Sequence, residues 1–203
     1  SAILQTFSES MEPLDKPSGK AERGSKEKGS GYKQRDILIE GPWTLTFTDA
    51  APPAVKSYAL DTLQTWELLD EQTRVTMCTG VYTTTFKLSK KEAAADWLLD
   101  LGDVRESARV YVNGQFIGCA WSVPFILDTK GTLRTGDNDL RIEVTNLPAN
   151  RIADLDRKGV KWRKMEEINV VDINYKKTLY DQWEPVPSGL NSQVRLIAKE
   201  LGR

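Results

Sequence analysis

The chain has 203 residues, 39% of them hydrophobic, and its 28 Lys and Arg against 29 Asp and Glu give a formal charge of −1. That balance removes the simplest electrostatic case for nucleic-acid binding, which needs a strongly basic face. The absence of histidine excludes Ser-His-Asp and Cys-His mechanisms and histidine metal ligation within this chain.

Residues 1–36 are expected to form an extended N-terminal segment or linker. From Asp15 to Asp36 the chain is Lys, Glu, Gly, Ser and Arg with few apolar side chains, too little surface to offset the entropy of ordering. Ser1 to Leu14 carries Ile3, Leu4, Phe7, Met11 and Leu14, enough to pack on the domain or a neighbour. The chain begins with Ser and shows no signal peptide, which suggests a mature, processed or excised form. No apolar run approaches the ~18 residues of a membrane span.

The folded body is predicted over 37–203. Trp43, Leu45 and Phe47 alternate with Thr44, Thr46 and Thr48, a strand signature reinforced by β-branched threonine. Pro52-Pro53 ends it. Val55 to Leu60 and Leu63 to Leu69 suit two short strands. Val81 to Leu88 is a strand with Tyr82, Phe86 and Leu88 on one face and Thr83 and Thr85 on the other. Lys90 to Ala95 suits a single helical turn, and the apolar run Trp97 to Leu101 a central strand.

The stretch from Ser107 to Asn150 is the most informative. Ala108, Val110 and Val112 alternate with Arg109 and Tyr111, the period of a half-buried strand. Asn113-Gly114 follows, the dipeptide suited to the two positive-φ positions of a type I′ turn, and Phe116 and Ile117 open the returning strand. Beyond Pro124, Leu140, Ile142 and Val144 alternate with Arg141, Glu143 and Thr145. Cys78 and Cys119 form no CxxC pair and sit in strand contexts, as buried free thiols or, alternatively, a disulfide. The best helix candidate, Asp154 to Ile168, is punctuated by Gly159 and follows helical spacing only loosely. A final strand is expected over about Gln193 to Lys199, after the turn Pro187-Ser188-Gly189. Eight to ten short strands separated by turn signals specify an all-β fold, an antiparallel β-sandwich or jelly roll.

Catalytic machinery is not legible. Asp100, Asp103, Asp128, Asp154, Asp156, Asp172 and Asp181 all read as turn or strand-end positions, and no carboxylate pair for glycoside hydrolysis can be assigned. Phosphate loops and calcium loops are missing. The aromatic residues outside clean strand periodicity point elsewhere. Trp121 follows a strand end, and Trp162, Tyr175, Tyr180 and Trp183 lie in a segment rich in Arg, Lys, Asp and Asn. Sugars stack their C–H faces on such rings while polar side chains bond the hydroxyls. The alternative is that the rings cover one end of the sandwich and pin a long loop, with Arg or Lys packed over them.

Four segments together resemble a known family: GPWTLTF at 41–47, TGVYTTTFKL at 79–88, LLDLGDVRESARVYVNGQFIGCAW at 98–121 and GDNDLRIEVTNLPANRI at 136–152. They look like the sugar-binding β-sandwich of family 2 glycoside hydrolases, and more closely like the carboxy-terminal sandwich of family 106 α-L-rhamnosidases. The step Trp121, Pro124, Phe125 and the corner Thr145, Asn146, Leu147, Asn150, Arg151 carry the latter likeness, and Pro187 to Leu190 with Val194 is similar to that family's closing strand. In place of the usual Leu-Gly-Pro of the final turn, this chain has Asn191-Ser192-Gln193.

The resemblance implies a galactose-binding-like jelly roll that is not an enzyme on its own, part of a bacterial glycan-degrading enzyme acting in the periplasm or outside the cell. Catalytic carboxylates would lie on a separate (β/α)₈ barrel. The domain would bind carbohydrate or brace that barrel, the alternative being a protein-interaction module with no sugar binding. Candidate carbohydrate contacts are Trp121, Asn150, Arg151, Asp154, Asp156, Trp162, Tyr175 and Trp183. No cofactor is expected; a structural calcium is common in such sandwiches, but no ligand set is legible here.

Overall fold

A computed structural model describes residues 36–54, 56–164, 174 and 178–199. All belong to the larger of two units into which the chain divides, Gln34–Arg203. The expected linker, apart from Asp36, and the candidate Tyr175 lie outside the described residues.

The strands are β1 (Ile37–Ile39), β2 (Trp43–Ala51), β3 (Tyr58–Leu60), β4 (Met77–Leu88), β5 (Trp97–Asp100) and β6 (Val104–Arg105). They continue with β7 (Ser107–Val112), β8 (Gln115–Ala120), β9 (Ile126–Asp128), β10 (Gly136–Thr145), β11 (Gly189–Leu190) and β12 (Val194–Ala198). One sheet has the order β1-β12-β5-β9, the second β3-β2-β4-β10-β7-β8, and β11 pairs with β6. Every pairing is antiparallel. The two large sheets enclose one core, so the fold is the expected all-β antiparallel sandwich.

Alternation produces this core directly. Leu140, Ile142 and Val144 of β10 and Ala108, Val110 and Val112 of β7 are buried, while their neighbours Arg109, Arg141 and Thr145 face water. The β7–β8 turn takes positive φ at Asn113 (50°) and Gly114 (78°), as type I′ geometry requires. Asn113 does more than turn: its amide donates to Thr132 O and Asn138 Oδ1 and accepts from Asp139 N, tying the hairpin to the start of β10.

Several expectations are corrected. Among the described residues of the strand proposed over 55–60, only Tyr58–Leu60 form one, and the strand proposed over 63–69 holds instead a 3₁₀ turn, Trp66–Leu68, followed by a short helix α1 (Glu71–Arg74). Asp70 caps α1 in a reciprocal box with Thr73, which a strand could not use. The strand count is twelve among the described residues rather than eight to ten, because three- and two-residue ladders escape periodicity. The expected single turn is α2 (Lys90–Ala93). A true helix, α3, runs Ala149–Arg157, so the Asn150-Arg151 corner, Asp154 and Asp156 are helical rather than turn residues. Cys78 is buried as expected, its thiol pushed up to about 12 by burial, but Cys119 is exposed on the edge strand β8 and both are free.

Candidate functional site at helix α3

The six tryptophans divide by role. Trp43, Trp66 and Trp97 are fully buried in the core. Trp121, Trp162 and Trp183, the three the sequence singles out, are not: Trp121 is 77% and Trp183 44% exposed, and Trp162 is half-buried.

The local chain explains how two of these come together. After β10, Pro148 opens α3 and Gly159, at φ +64°, closes it. Gly159 N donates to Asp156 O and Val160 N to Leu155 O, the paired bonds of a Schellman stop, for which glycine is suited by its freedom at positive φ. The chain then doubles back so that residues 178–188 lie along the helix. Asn150 fixes this return: its Oδ1 accepts from Val186 N at 2.7 Å and its Nδ2 donates to Val186 O at 2.8 Å and Glu67 Oε1 at 3.2 Å. Glu67 also accepts from Ser188 N at 3.1 Å. One turn earlier, Asn146 spans Cys78 N, Thr76 O and Ser188 Oγ. The two asparagines of the corner are therefore buried pins of the loop.

Further along α3, Asp154 is buried with Arg151 and Lys158 on its carboxylate, at 3.0 and 2.9 Å. Asp156 receives Trp162 Nε1 at 2.6 Å and Tyr180 N at 3.0 Å. Arg157 donates to the carbonyls of Asp181 (2.9 Å) and Trp183. The rings stack in sequence, Trp162 to Tyr180 at 6.3 Å and Tyr180 to Trp183 at 4.5 Å, edge to face. Arg163 lies 5.1 Å from the Trp162 centroid and 5.0 Å from that of Tyr180, and it bonds Thr178 O.

Beside this ladder opens a cleft of about 370 Å³ lined by Asp156, Lys161, Trp162, Arg163, Leu179 and Asp181 among others. Asp181 also lines it; one of its oxygens, Oδ1, is buried behind the wall with no hydrogen-bond partner among the described residues, and the other accepts from Gln182. The arrangement brings ring surface, cationic donors and the Asp181 carboxylate together in one place. It offers no visible proton-transfer pair: Asp154 and Asp156 are both saturated by fixed donors.

Thus Asn150, Arg151, Asp154, Asp156, Trp162 and Trp183 gather at α3, whereas Trp121 stands on the β8–β9 connection beside exposed Val123 (79%) and touches none of those rings. Asp181 and Arg163 were not singled out by sequence as contacts, because an unpaired oxygen and a ring-capping guanidinium are visible only in three dimensions. Among the described residues no three metal-ligating side chains converge, and no helix is long and apolar enough to cross a membrane.

Comparison with known proteins agrees with the fold. The model of the glycosyl hydrolase 2 galactose-binding domain-like family matches residues 52–186. A putative beta-glucuronidase of Formosa agariphila is 30% identical over 179 residues, which is 79% of this chain and 15% of that protein. The solved rhamnosidase of Novosphingobium sp. PP1Y is 27% identical with a TM-score of 0.63, covering 85% of this chain and 16% of that one. The beta-glucuronidase of Bifidobacterium dentium shares the fold, at 19% identity and a TM-score of 0.55 over 83% of this chain and 30% of that one. The chain thus spans about 15% of the length of the curated relative it matches.

Proposed function

Because the chain belongs to the glycosyl hydrolase 2 galactose-binding domain-like family, we propose that it serves a glycoside hydrolase as a non-catalytic sandwich that contacts carbohydrate through the α3 face. Catalysis would lie on another part of the enzyme. The observation that supports this reading is the cleft walled by Trp162, Arg163 and Asp181 and continued by the half-exposed Trp183. Aromatic rings with one wet side and a few convergent polar groups are how hydroxyl-rich ligands are oriented.

Lys161 and Arg163 line the cleft together with Asp156 and Asp181, so its charge alone does not select a class of sugar. Rhamnosidase and glucuronidase relatives make rhamnose- and glucuronate-containing oligosaccharides the first ligands to try. Calorimetric titration of the chain with them should give saturable binding that Trp183→Ala and Asp181→Asn each weaken about tenfold or more, the scale of one lost stacking or charge-assisted contact. Binding that neither substitution changes would remove this site.

A bracing role has its own support. Trp121 and Val123 on the β8–β9 connection and Leu147 (50% exposed) after β10 are apolar and uncovered. If no oligosaccharide binds, docking of a neighbouring domain on that rim is the reading that stands.

A further inference from the structure

A second cleft, of about 850 Å³, opens where the β1–β2 connection and the turn after β3 face the β5–β6 and β11–β12 turns. Its volume falls within the ~300–1,000 Å³ usual for small-molecule sites. The wall is rigidly built. Gly102 (φ +65°) packs so closely on Ser192 that a Cβ would lie 2.0 Å from Ser192 Oγ. That hydroxyl accepts from Asp103 N at 2.6 Å, and Asn191 N donates to Asp103 O at 2.9 Å. Asp100 is held by Gly102 N and by two donors of Arg195, at 3.0 and 2.9 Å.

Within this wall the Asn191 amide is anomalous. Its Nδ2 and Oδ1 are both buried and neither has a hydrogen-bond partner among the described residues. A buried unpaired polar group is costly, and native folds retain such groups where something else accounts for them. Turning this amide into the cleft breaks no hydrogen bond and offers one donor group and one acceptor. Asn191 belongs to the Asn191-Ser192-Gln193 turn between β11 and β12.

The electrostatics restrict the ligand. Glu40 and Asp61 are exposed at the mouth, while among the described residues the one cationic group lining it, Arg195, is engaged by Asp100 and approached by Asp36 at 4.0 Å. A uronate or phosphate would meet net negative charge. Pro42 and Leu63 supply apolar surface among the hydrogen-bonding side chains.

We propose that this cleft binds an uncharged, hydroxyl-rich ligand, the terminal residue of a neutral oligosaccharide, with Asn191 as the central hydrogen-bonding residue and Gln193 and Asp61 at the periphery. The site is separate from the α3 face, and either can fail without the other. The test is a titration with the methyl glycosides of glucose, galactose and mannose, with methyl glucuronide as the charged counterpart. At least one neutral glycoside should bind and the glucuronide should not compete for it. Asn191→Ala and the equal-sized Asn191→Leu should weaken that binding about tenfold or more while leaving the melting temperature unchanged or higher, and Trp183→Ala should leave it intact. No binding of any neutral glycoside would overturn the proposal. So would binding insensitive to both Asn191 variants, or a melting temperature lowered by both.

Discussion

Trp66 is packed closely on every side and is fully buried. Its indole donates to Tyr82 Oη at 2.6 Å, and that oxygen also accepts from Leu190 N at 3.1 Å. Two glycines make room: a Cβ on Gly80 would lie 2.4 Å from Trp66 Cζ2, and one on Gly189 (φ +98°) 2.4 Å from Trp66 Nε1. Gly80 sits inside β4, opposite Phe47 and Val144, with no conformational need for glycine, so Gly80→Ala isolates the steric effect. Overpacking of this kind costs about 1–3 kcal/mol, and urea unfolding of the variant should show a loss of that size. Nothing in TGVYTTTF discloses this, because the indole that fills the space comes from a turn fourteen residues earlier. The asparagines tell the same story. Asn146 and Asn150 read from sequence as a family corner, one of them a candidate sugar contact, yet their amides are consumed by backbone groups brought from 76–78 and 186–188.

Among the elements, the long strands and the turn α2 are readable from sequence, whereas α1, α3 and the shortest ladders are not, for a physical reason. Period-two burial is local, so β4, β7, β8 and β10 follow from their own residues. Helix α3 has poor intrinsic formers at Asn150, Asp154 and Asp156, and it is stabilised by the bonds that Asn150, Asp156 and Arg157 make to the returning chain. Its limits were nonetheless marked by Pro148 and Gly159; Gly159 is the stop of this helix rather than an interruption of a longer one. Helix α1 shows how much one cap can carry. Asp70 accepts from Thr73 N at 2.8 Å and from Tyr58 Oη at 2.5 Å, with Lys56 at 3.6 Å. The Tyr58 bond, then the Thr73 amide, lower its carboxyl to about 2, and burial and this bond raise Tyr58 to about 12. A carboxyl lowered in the fold stabilises it above the unfolded value of ~3.9 and loses that contribution as pH falls toward 2. Asp70→Ala should therefore cost about 1 kcal/mol at neutral pH and flatten the fall in stability between about pH 4 and pH 2, as followed by circular dichroism.

At the scale of the molecule, the sandwich is a scaffold whose strands supply stability and whose connections supply chemistry. Two faces differ in lining: the α3 cleft sets Lys161 and Arg163 among Asp156 and Asp181, whereas the cleft of the β11–β12 turn carries Glu40 and Asp61 beside the Asp100–Arg195 pair. An ancillary domain with such faces would hold different parts of a branched glycan beside a catalytic domain. The measurement that tests carbohydrate contact most directly is amide chemical-shift mapping of the chain with a glucuronate-containing oligosaccharide. The account predicts perturbations concentrated at Trp162, Arg163, Asp181 and Trp183, leaving the interiors of β4 and β10 unmoved. Saturating oligosaccharide that perturbs none of these residues would contradict it.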